Sequence, residues 1–128
     1  MAVSGWTKED IYLVAERAHS LHLQGRYREA RIIFEGLVAI DPSDRYCCLA
    51  LAASYMALGE AERSVQQLTK LLSRHPNDTE ARARRCEAYL QLNRVQEARE
   101  DWDLLKQRLA VPYVRRLQLR VQTKLIQA

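Results

Sequence analysis

The sequence predicts an all-α solenoid of three antiparallel helix pairs closed by a C-terminal capping helix. The first observation is a period of 34 residues, which places Gly25, Gly59 and Asn93 at equivalent positions. A period of this length is typical of stacked helix-turn-helix units. The second is that apolar residues within each unit recur at helical spacing. The third is that 128 residues contain only four glycines and three prolines, so little of the chain is loop.

Core positions carry the period most clearly. Two positions in every unit hold small residues, which allow helices to approach closely; these are Ala18, Ala52, Cys86, Ala30, Ser64 and Ala98. Two further positions hold larger side chains, which are Phe34, Leu68, Trp102, Leu37, Leu71 and Leu105. Because these positions share one face of each helix, we expect them to form the buried core.

Capping and turn residues predict where the helices begin and end. Thr7 and Asp10 form the pattern of a capping box at the start of the first helix. The turn residue of each pair is a glycine or an asparagine, which accept a left-handed backbone. Pro42 and Pro76 separate the units, because proline is disfavoured inside a continuing helix. The predicted helices cover residues 8–24, 27–40, 44–58, 61–74, 79–92, 95–109 and 112–126.

The composition predicts a soluble cytoplasmic protein. Hydrophobic residues make up 48% and charged residues 28%, and no segment reaches the ~18 apolar residues that a membrane span requires. The three cysteines lack Cys-x-x-Cys spacing, which favours a reducing compartment. A net charge of +4 is milder than the clustered charge of nucleic-acid-binding proteins, so we expect neither membrane insertion nor nucleic-acid binding.

No pattern in the sequence predicts catalysis or a cofactor. The chain has no glycine-rich phosphate loop and no arrangement of nucleophile and base that fits an enzyme family. His19 and His22 are three residues apart on one helix face, a spacing that can hold a metal. A zinc site needs three or four ligands, however, so these histidines are expected to be solvated rather than metal-bound.

A resemblance to a known family follows from these residues. The run from Gly25 to Ala30, followed by Phe34, Leu37 and Asp41-Pro42, resembles the second half of a tetratricopeptide (TPR) repeat. The resemblance implies a right-handed superhelix in which the first helix of each pair lines a concave face. The implied units of a single domain at 1–128 are 11–44, 45–78 and 79–110, with the capping helix at 112–126. Arg17 and Arg85 depart from the pattern, because the family usually has leucine there.

A second stripe on the first helix of each pair is the predicted peptide-binding groove. Its members recur at i, i+3, i+7 and i+10 and are Tyr12, Ala15, His19, His22, Tyr46, Leu49, Ala53, Met56, Glu80, Ala83, Glu87 and Leu90. From Tyr46 to Leu58 only Ser54 is polar, so this helix is apolar on all sides. Such a helix either faces an apolar peptide across an open groove or is covered by its neighbours in a short solenoid.

The last helix is basic on one side and apolar on the other. Its cations, which we name the basic outer patch, are Arg115, Arg116, Arg120 and Lys124. Its apolar side consists of Val114, Leu117, Val121 and Leu125. One interpretation is a cap, since terminal repeats need a polar outer face over an apolar inner one. The other is a surface for an acidic partner or, less favoured, for a nucleic acid.

Several runs resemble the class II chaperones of bacterial type III secretion, which hold hydrophobic translocator proteins before export. They are Gly25-x-Tyr27-x-x-Ala30, Leu49 to Ala53 and Cys86 to Leu92. The resemblance implies a non-catalytic chaperone in which an extended client segment is held by Tyr12, Tyr46, Leu49, Ala53 and Met56. The alternative is a scaffold or assembly adaptor that docks a folded or acidic partner on the basic outer patch. A second copy of the chain is a weaker expected partner.

A different TPR specialisation binds the C-terminal carboxylate of heat-shock chaperones. The matching places here hold Ala15, His19, Ala50, Glu80 and Arg84. Only Arg84 suits a carboxylate, and Glu80 would repel one. The sequence therefore argues against this type of cochaperone.

Overall fold

The protein is described here by a computed structural model that covers residues 5–127. These residues form seven α-helices, one short 3-10 helix and no strand. In chain order the helices are α1 (Lys8–Leu23), α2 (Tyr27–Ile40), α3 (Arg45–Ala57), α4 (Ala61–Arg74), α5 (Thr79–Gln91), α6 (Val95–Leu105), the 3-10 helix (Lys106–Arg108) and α7 (Pro112–Gln127). The all-helical prediction is confirmed. The largest difference is at the end of α6, which was predicted to reach residue 109 but tightens into the 3-10 turn after Leu105, as helix C-termini often do.

The start of α1 shows the predicted capping box. The Thr7 hydroxyl accepts a hydrogen bond from the Asp10 amide at 3.0 Å, and the Asp10 carboxylate accepts one from the Thr7 amide at 2.9 Å. Asp44 and Asp78 cap α3 and α5 in a related way, each accepting a hydrogen bond from the backbone amide three residues later. These acceptors satisfy amides that have no partner inside a helix.

The turn inside each helix pair has the same geometry in all three repeats. Gly25, Gly59 and Asn93 have φ values of +80°, +75° and +58°. In each turn the amide of the following residue donates to the carbonyl five residues earlier, at 2.8–2.9 Å. This is the Schellman arrangement, which requires a left-handed residue and so explains why glycine or asparagine recurs every 34 residues.

The chain divides into two compact units on either side of the Gln67–Leu68 bond, within α4. In the first unit α2 packs against both α1 and α3, and α1 also contacts α3. The core of this unit contains Ile11, Ala15, Ala18, Leu21, Ala30, Phe34, Leu37, Cys47, Leu51 and Tyr55. The predicted small and large core positions of the unit are all among its buried residues.

In the second unit α7 packs against both α5 and α6. Val114, Leu117 and Val121 are buried, as the apolar side of a capping helix should be, and Leu125 is half-buried. At the small positions the Cys86 thiol lies 3.5 Å from the Ala98 carbonyl, which shows how closely α5 approaches α6.

A buried ion network joins α5 to α6. The Arg85 guanidinium donates to both carboxylate oxygens of Asp101, at 2.9 and 2.7 Å, and Arg82 lies 3.3 Å from the same carboxylate. Arg82 also donates to the Pro76 carbonyl at 2.6 Å, and Arg85 to the Thr69 hydroxyl at 3.2 Å. The Asp101 side chain is only 3% exposed. Arg85, one of the two arginines that depart from the family pattern, therefore has its partner on the next helix.

Among the described residues, no helix combines the length and the hydrophobicity needed to cross a bilayer.

Candidate peptide-binding surfaces

The first unit exposes an aromatic pair on α1 and α3. Tyr12 is 61% exposed and Tyr46 is 46% exposed. The Tyr46 ring also packs edge-on against the buried Phe34 ring, with centroids 6.5 Å apart, so part of it is fixed in place. Partial burial raises the pKa of Tyr46, and the nearby Glu16 and Tyr12 raise it further. Tyr46 therefore presents a neutral phenol, which offers both an apolar ring and a hydrogen-bond donor.

The other groove residues predicted in the first unit differ in exposure. His19 is exposed, whereas Ala53 and Met56 are half-buried. His22 is half-buried and packs edge-on against the Tyr27 ring, with centroids 4.9 Å apart. Ala15 and Leu49 are buried and offer almost no surface. Most of α3 is covered by its neighbours, and Tyr46, Ala53 and Met56 are among its residues that keep accessible surface.

The second unit contains a cavity of about 440 Å³ between α5 and α7. It is lined by Glu80, Ala83, Arg84, Glu87, Tyr113, Arg116, Leu117 and Arg120. Three of these are groove residues predicted from the sequence, namely Glu80, Ala83 and Glu87. Tyr113 was not predicted, because α7 lies outside the three repeats and only its cations were considered as binding residues.

A second cavity of about 540 Å³ lies farther along the same two helices. Its lining residues are Leu90, Gln91, Leu119, Arg120, Thr123 and Lys124. Because Arg120 lines both cavities, they follow one another along α7. We name the two together the α5–α7 groove. Leu90 is buried beneath it, whereas Leu119 is 72% exposed.

Charges in the α5–α7 groove are partly paired. Arg84 bonds Glu80 at 3.0 Å within α5, and Arg120 bonds Glu87 at 2.7 Å from α7 to α5. Arg116 forms no ion pair with any residue that the structure describes. The groove therefore offers the unpaired Arg116 guanidinium next to Arg84, whose partner lies on the same helix, and Arg120, whose partner lies on the opposite wall.

The division between a groove and a basic outer patch needs correction. Arg116, Arg120 and Lys124 line the α5–α7 groove and not a separate outer surface. Only Arg115 of the patch is exposed outside both cavities. The reason is helical spacing, since residues four apart share a face and Arg115 is one residue out of that register.

Two of the cysteines are poorly suited to nucleophilic chemistry. Burial raises the pKa of the Cys47 and Cys86 thiols to about 12, so both stay protonated at neutral pH. Cys48 is buried as well. Within residues 5–127 no three metal-ligating side chains come together.

Comparisons with known proteins support the TPR interpretation. The tetratricopeptide repeat family model matches residues 21–78. No curated protein matches the chain significantly in sequence.

Solved structures resemble nearly the whole chain. The Yersinia enterocolitica type III secretion chaperone SycD, solved with a peptide of the translocator YopD, is 20% identical and superposes with a TM-score of 0.80, covering 93% of this chain and 92% of SycD. PcrH from Pseudomonas aeruginosa is 21% identical with a TM-score of 0.80, covering 94% and 92%. The first TPR of Spaghetti (RPAP3), solved with an HSP90 peptide, is 18% identical with a TM-score of 0.82, covering 94% and 96%.

The superpositions support the fold. They do not identify a ligand, because SycD and RPAP3 were solved with different peptides. The repeat geometry, the family match and the structural likeness agree with one another. Residues 21–78 therefore match the tetratricopeptide repeat family model, and the chain has the all-α fold of TPR proteins.

Proposed function

We propose that this chain is a non-catalytic protein-binding module that holds an extended segment of a client protein. The observation that carries the proposal is the aromatic pair Tyr12 and Tyr46, exposed on the first helices of their pairs while the rest of α3 is largely buried. Exposed tyrosines with part of the ring fixed by packing are suited to anchor a partner, because they bury a large area at little cost in conformational entropy.

The client-binding residues of the proposal come from both units. In the first unit they are Tyr12, His19, His22, Tyr46, Ala53 and Met56, which retain accessible surface. In the second they are Glu80, Ala83, Glu87 and Leu90, which line the α5–α7 groove. Ala15 and Leu49 are buried within the first unit.

The role that best fits this module is a chaperone of the type III secretion class, acting in the cytoplasm on a translocator-like client. Two observations support it. SycD and PcrH superpose on more than nine-tenths of this chain. The accessible groove residues of the first unit include Tyr12, Tyr46 and Met56, which suit a hydrophobic client segment.

An array of short synthetic peptides of graded apolar content tests the proposal. The full chain should bind apolar peptides, and binding should persist in about 1 M NaCl, where charge interactions are screened within roughly 3 Å. The Tyr12→Ala/Tyr46→Ala variant should bind roughly 10- to 100-fold more weakly, as expected for the loss of aromatic anchors. Ile32→Ala is the matched control, because Ile32 is 62% exposed on α2, away from this face.

The competing function is an adaptor that docks a folded or acidic partner on basic surface. Exposed cations of α7 favour it, Arg115 and Arg116 above all. An adaptor should prefer acidic peptides regardless of apolar content, release them at high salt, and be indifferent to Tyr12→Ala/Tyr46→Ala. That result would contradict the chaperone proposal and favour the adaptor. Failure to bind any peptide would contradict both functions.

A further inference from the structure

We infer that the α5–α7 groove binds an acidic stretch of the client, with carboxylates at alternate positions of an extended segment. Because this inference rests on the proposed function, it adds a sequence requirement to the segment and not a second partner. Its basis is the charge and spacing of the side chains that line the groove.

The side chains that line the groove carry a net positive charge. Its two cavities are lined by Arg84, Arg116, Arg120 and Lys124, against two carboxylates, Glu80 and Glu87. Both carboxylates are bonded by arginines of the groove itself. Arg116 and Lys124 have no ion pair within the part of the chain that the structure describes. From Pro112 to Gln127 the sequence contains no acidic residue that could neutralise them.

The spacing of these cations matches an extended peptide. Arg116, Arg120 and Lys124 are each four residues apart, so they follow one face of α7 at steps of about 6 Å. Alternate residues of an extended strand point to the same side at steps of about 6.6 Å. The small mismatch falls within the reach of arginine and lysine side chains. Carboxylates at positions i and i+4 can therefore meet Arg116 and Lys124, and a carboxylate at i+2 would share the Arg120 guanidinium with Glu87.

The apolar lining fits the residues between the acids. Leu117 and Ala83 form the floor of the first cavity, and Leu119 is exposed at the second. A nucleic acid fits less well than a peptide, because single-stranded binding depends on aromatic side chains that stack on the bases. The groove supplies Tyr113 alone as such a surface.

Fluorescence anisotropy with three labelled peptides tests the inference on the full chain. In the first peptide glutamate alternates with leucine or alanine. In the second every glutamate is replaced by glutamine, and in the third the same residues are rearranged so that the glutamates are consecutive. We expect the alternating peptide to bind roughly tenfold more tightly than the glutamine peptide at low salt, and more tightly than the rearranged one.

Single substitutions of cations on α7 show which side chains bind the carboxylates of the peptide. Arg116→Gln and Lys124→Gln should each weaken binding of the alternating peptide roughly threefold to tenfold while leaving the glutamine peptide unchanged. Arg115→Gln changes the same charge on the same helix outside both cavities, and it should change binding by less than about twofold. All three sites are exposed, so circular dichroism should show an unaltered fold.

The outcomes separate the inference from the proposed function. Equal affinity for the glutamate and glutamine peptides, or an equal loss in Arg115→Gln, would overturn the inference while peptide binding itself stands. Stronger competition by a single-stranded oligonucleotide than by the unlabelled alternating peptide would also overturn it. If neither the glutamine nor the glutamate peptide binds, the proposed function fails together with the inference.

Discussion

The helix pairs α1–α2 and α5–α6 use equivalent repeat positions in different ways. Val14 and Ile33 pack against the apolar core of the first unit. Two periods later, the same positions hold Arg82 and Asp101, which together with Arg85 form the buried ion network of the second unit. Both pairs nevertheless have the same turn and the same buried small residues.

This difference shows which positions specify the fold. The small residues and the left-handed turn residue are kept in every repeat. Close contact between two helices requires small side chains, and the tight turn between them requires a left-handed residue. The position next to the core accepts either packing or charge, provided that every buried charge has a partner. A buried ion pair is not intrinsically more stable than a well-packed apolar pair, but losing one member is costly.

The accessible faces of the two units also differ in polarity. The first unit presents tyrosine rings, and the second presents paired and unpaired charges. In the proposed function the first face supplies affinity for apolar residues and the second distinguishes one segment from another by charge.

The largest expected effect comes from breaking the ion network. Asp101→Ala should lower the free energy of unfolding by roughly 3–5 kcal/mol, because two largely buried guanidinium groups lose their counter-charge. Asp103→Ala is the control, since this aspartate is exposed on the same helix and bonds the exposed Lys106, at 3.2 Å. Urea denaturation measures both. An Asp101→Ala loss no larger than the Asp103→Ala loss would show that the network contributes little.

Making the second unit resemble the first sharpens the same comparison. The variant Arg82→Val/Arg85→Leu/Asp101→Ile replaces the whole network, and each new residue is the one that another repeat has there, namely Val14, Leu51 and Ile33. We expect stability within about 2 kcal/mol of the parent and above that of Asp101→Ala, because no charge is left unpaired. A triple variant less stable than Asp101→Ala would mean that the site cannot be repacked with apolar side chains.

A smaller effect is expected at Tyr55, which donates to Glu35 at 2.7 Å in the first unit. Tyr55→Phe should cost about 1 kcal/mol at neutral pH. Burial, followed by this hydrogen bond, raises the pKa of Tyr55 from 10.0 to about 12. The unfolded chain therefore releases this proton first, so stability is fully present below pH 10 and falls as the pH rises towards 12.

The pH profile distinguishes this titration from other alkaline effects. Between pH 10 and 12 the parent should lose stability more steeply than Tyr55→Phe, as followed by urea denaturation at each pH. Raised cysteine pKa values affect both proteins equally and cancel in the difference. Parallel profiles would show that the Tyr55 phenol does not titrate differently in the folded state.

The smallest effects concern the turns. Gly59→Ala should cost roughly 1 kcal/mol, because φ is +75° there and alanine disfavours the left-handed region. An added methyl group meets no atom within 4 Å, so the cost is conformational and not steric. Asn93→Gly, at the equivalent turn of the second unit, should change stability by only a few tenths of a kcal/mol. Melting temperatures of both variants measure the contrast, and a loss in Asn93→Gly as large as in Gly59→Ala would contradict it.

The candidate sites were only partly predictable. The periodic stripe placed Glu80, Ala83, Glu87 and Leu90 on one side of α5, and all four line the α5–α7 groove. The stripe could not tell that Leu49 and Ala15 are buried, because helical spacing gives a direction and not the depth of the neighbouring helix. The contribution of α7 was missed for a similar reason, since its cations were assigned to an outer face without knowing how the helix is rotated on α5.

The sequence by itself determined the helices, their turns and the buried small positions. Each depends on interactions between residues within a few positions, such as the Thr7 capping box and the left-handed glycines, or on a period that repeats them. Only the tertiary structure decided that Asp101 is the partner of Arg82 and Arg85, and that Arg116 and Arg120 face Glu87 across a groove. Those contacts join residues 16–33 positions apart, or helices with no common period. Their geometry depends on helix rotation and depth, which local preferences leave undetermined.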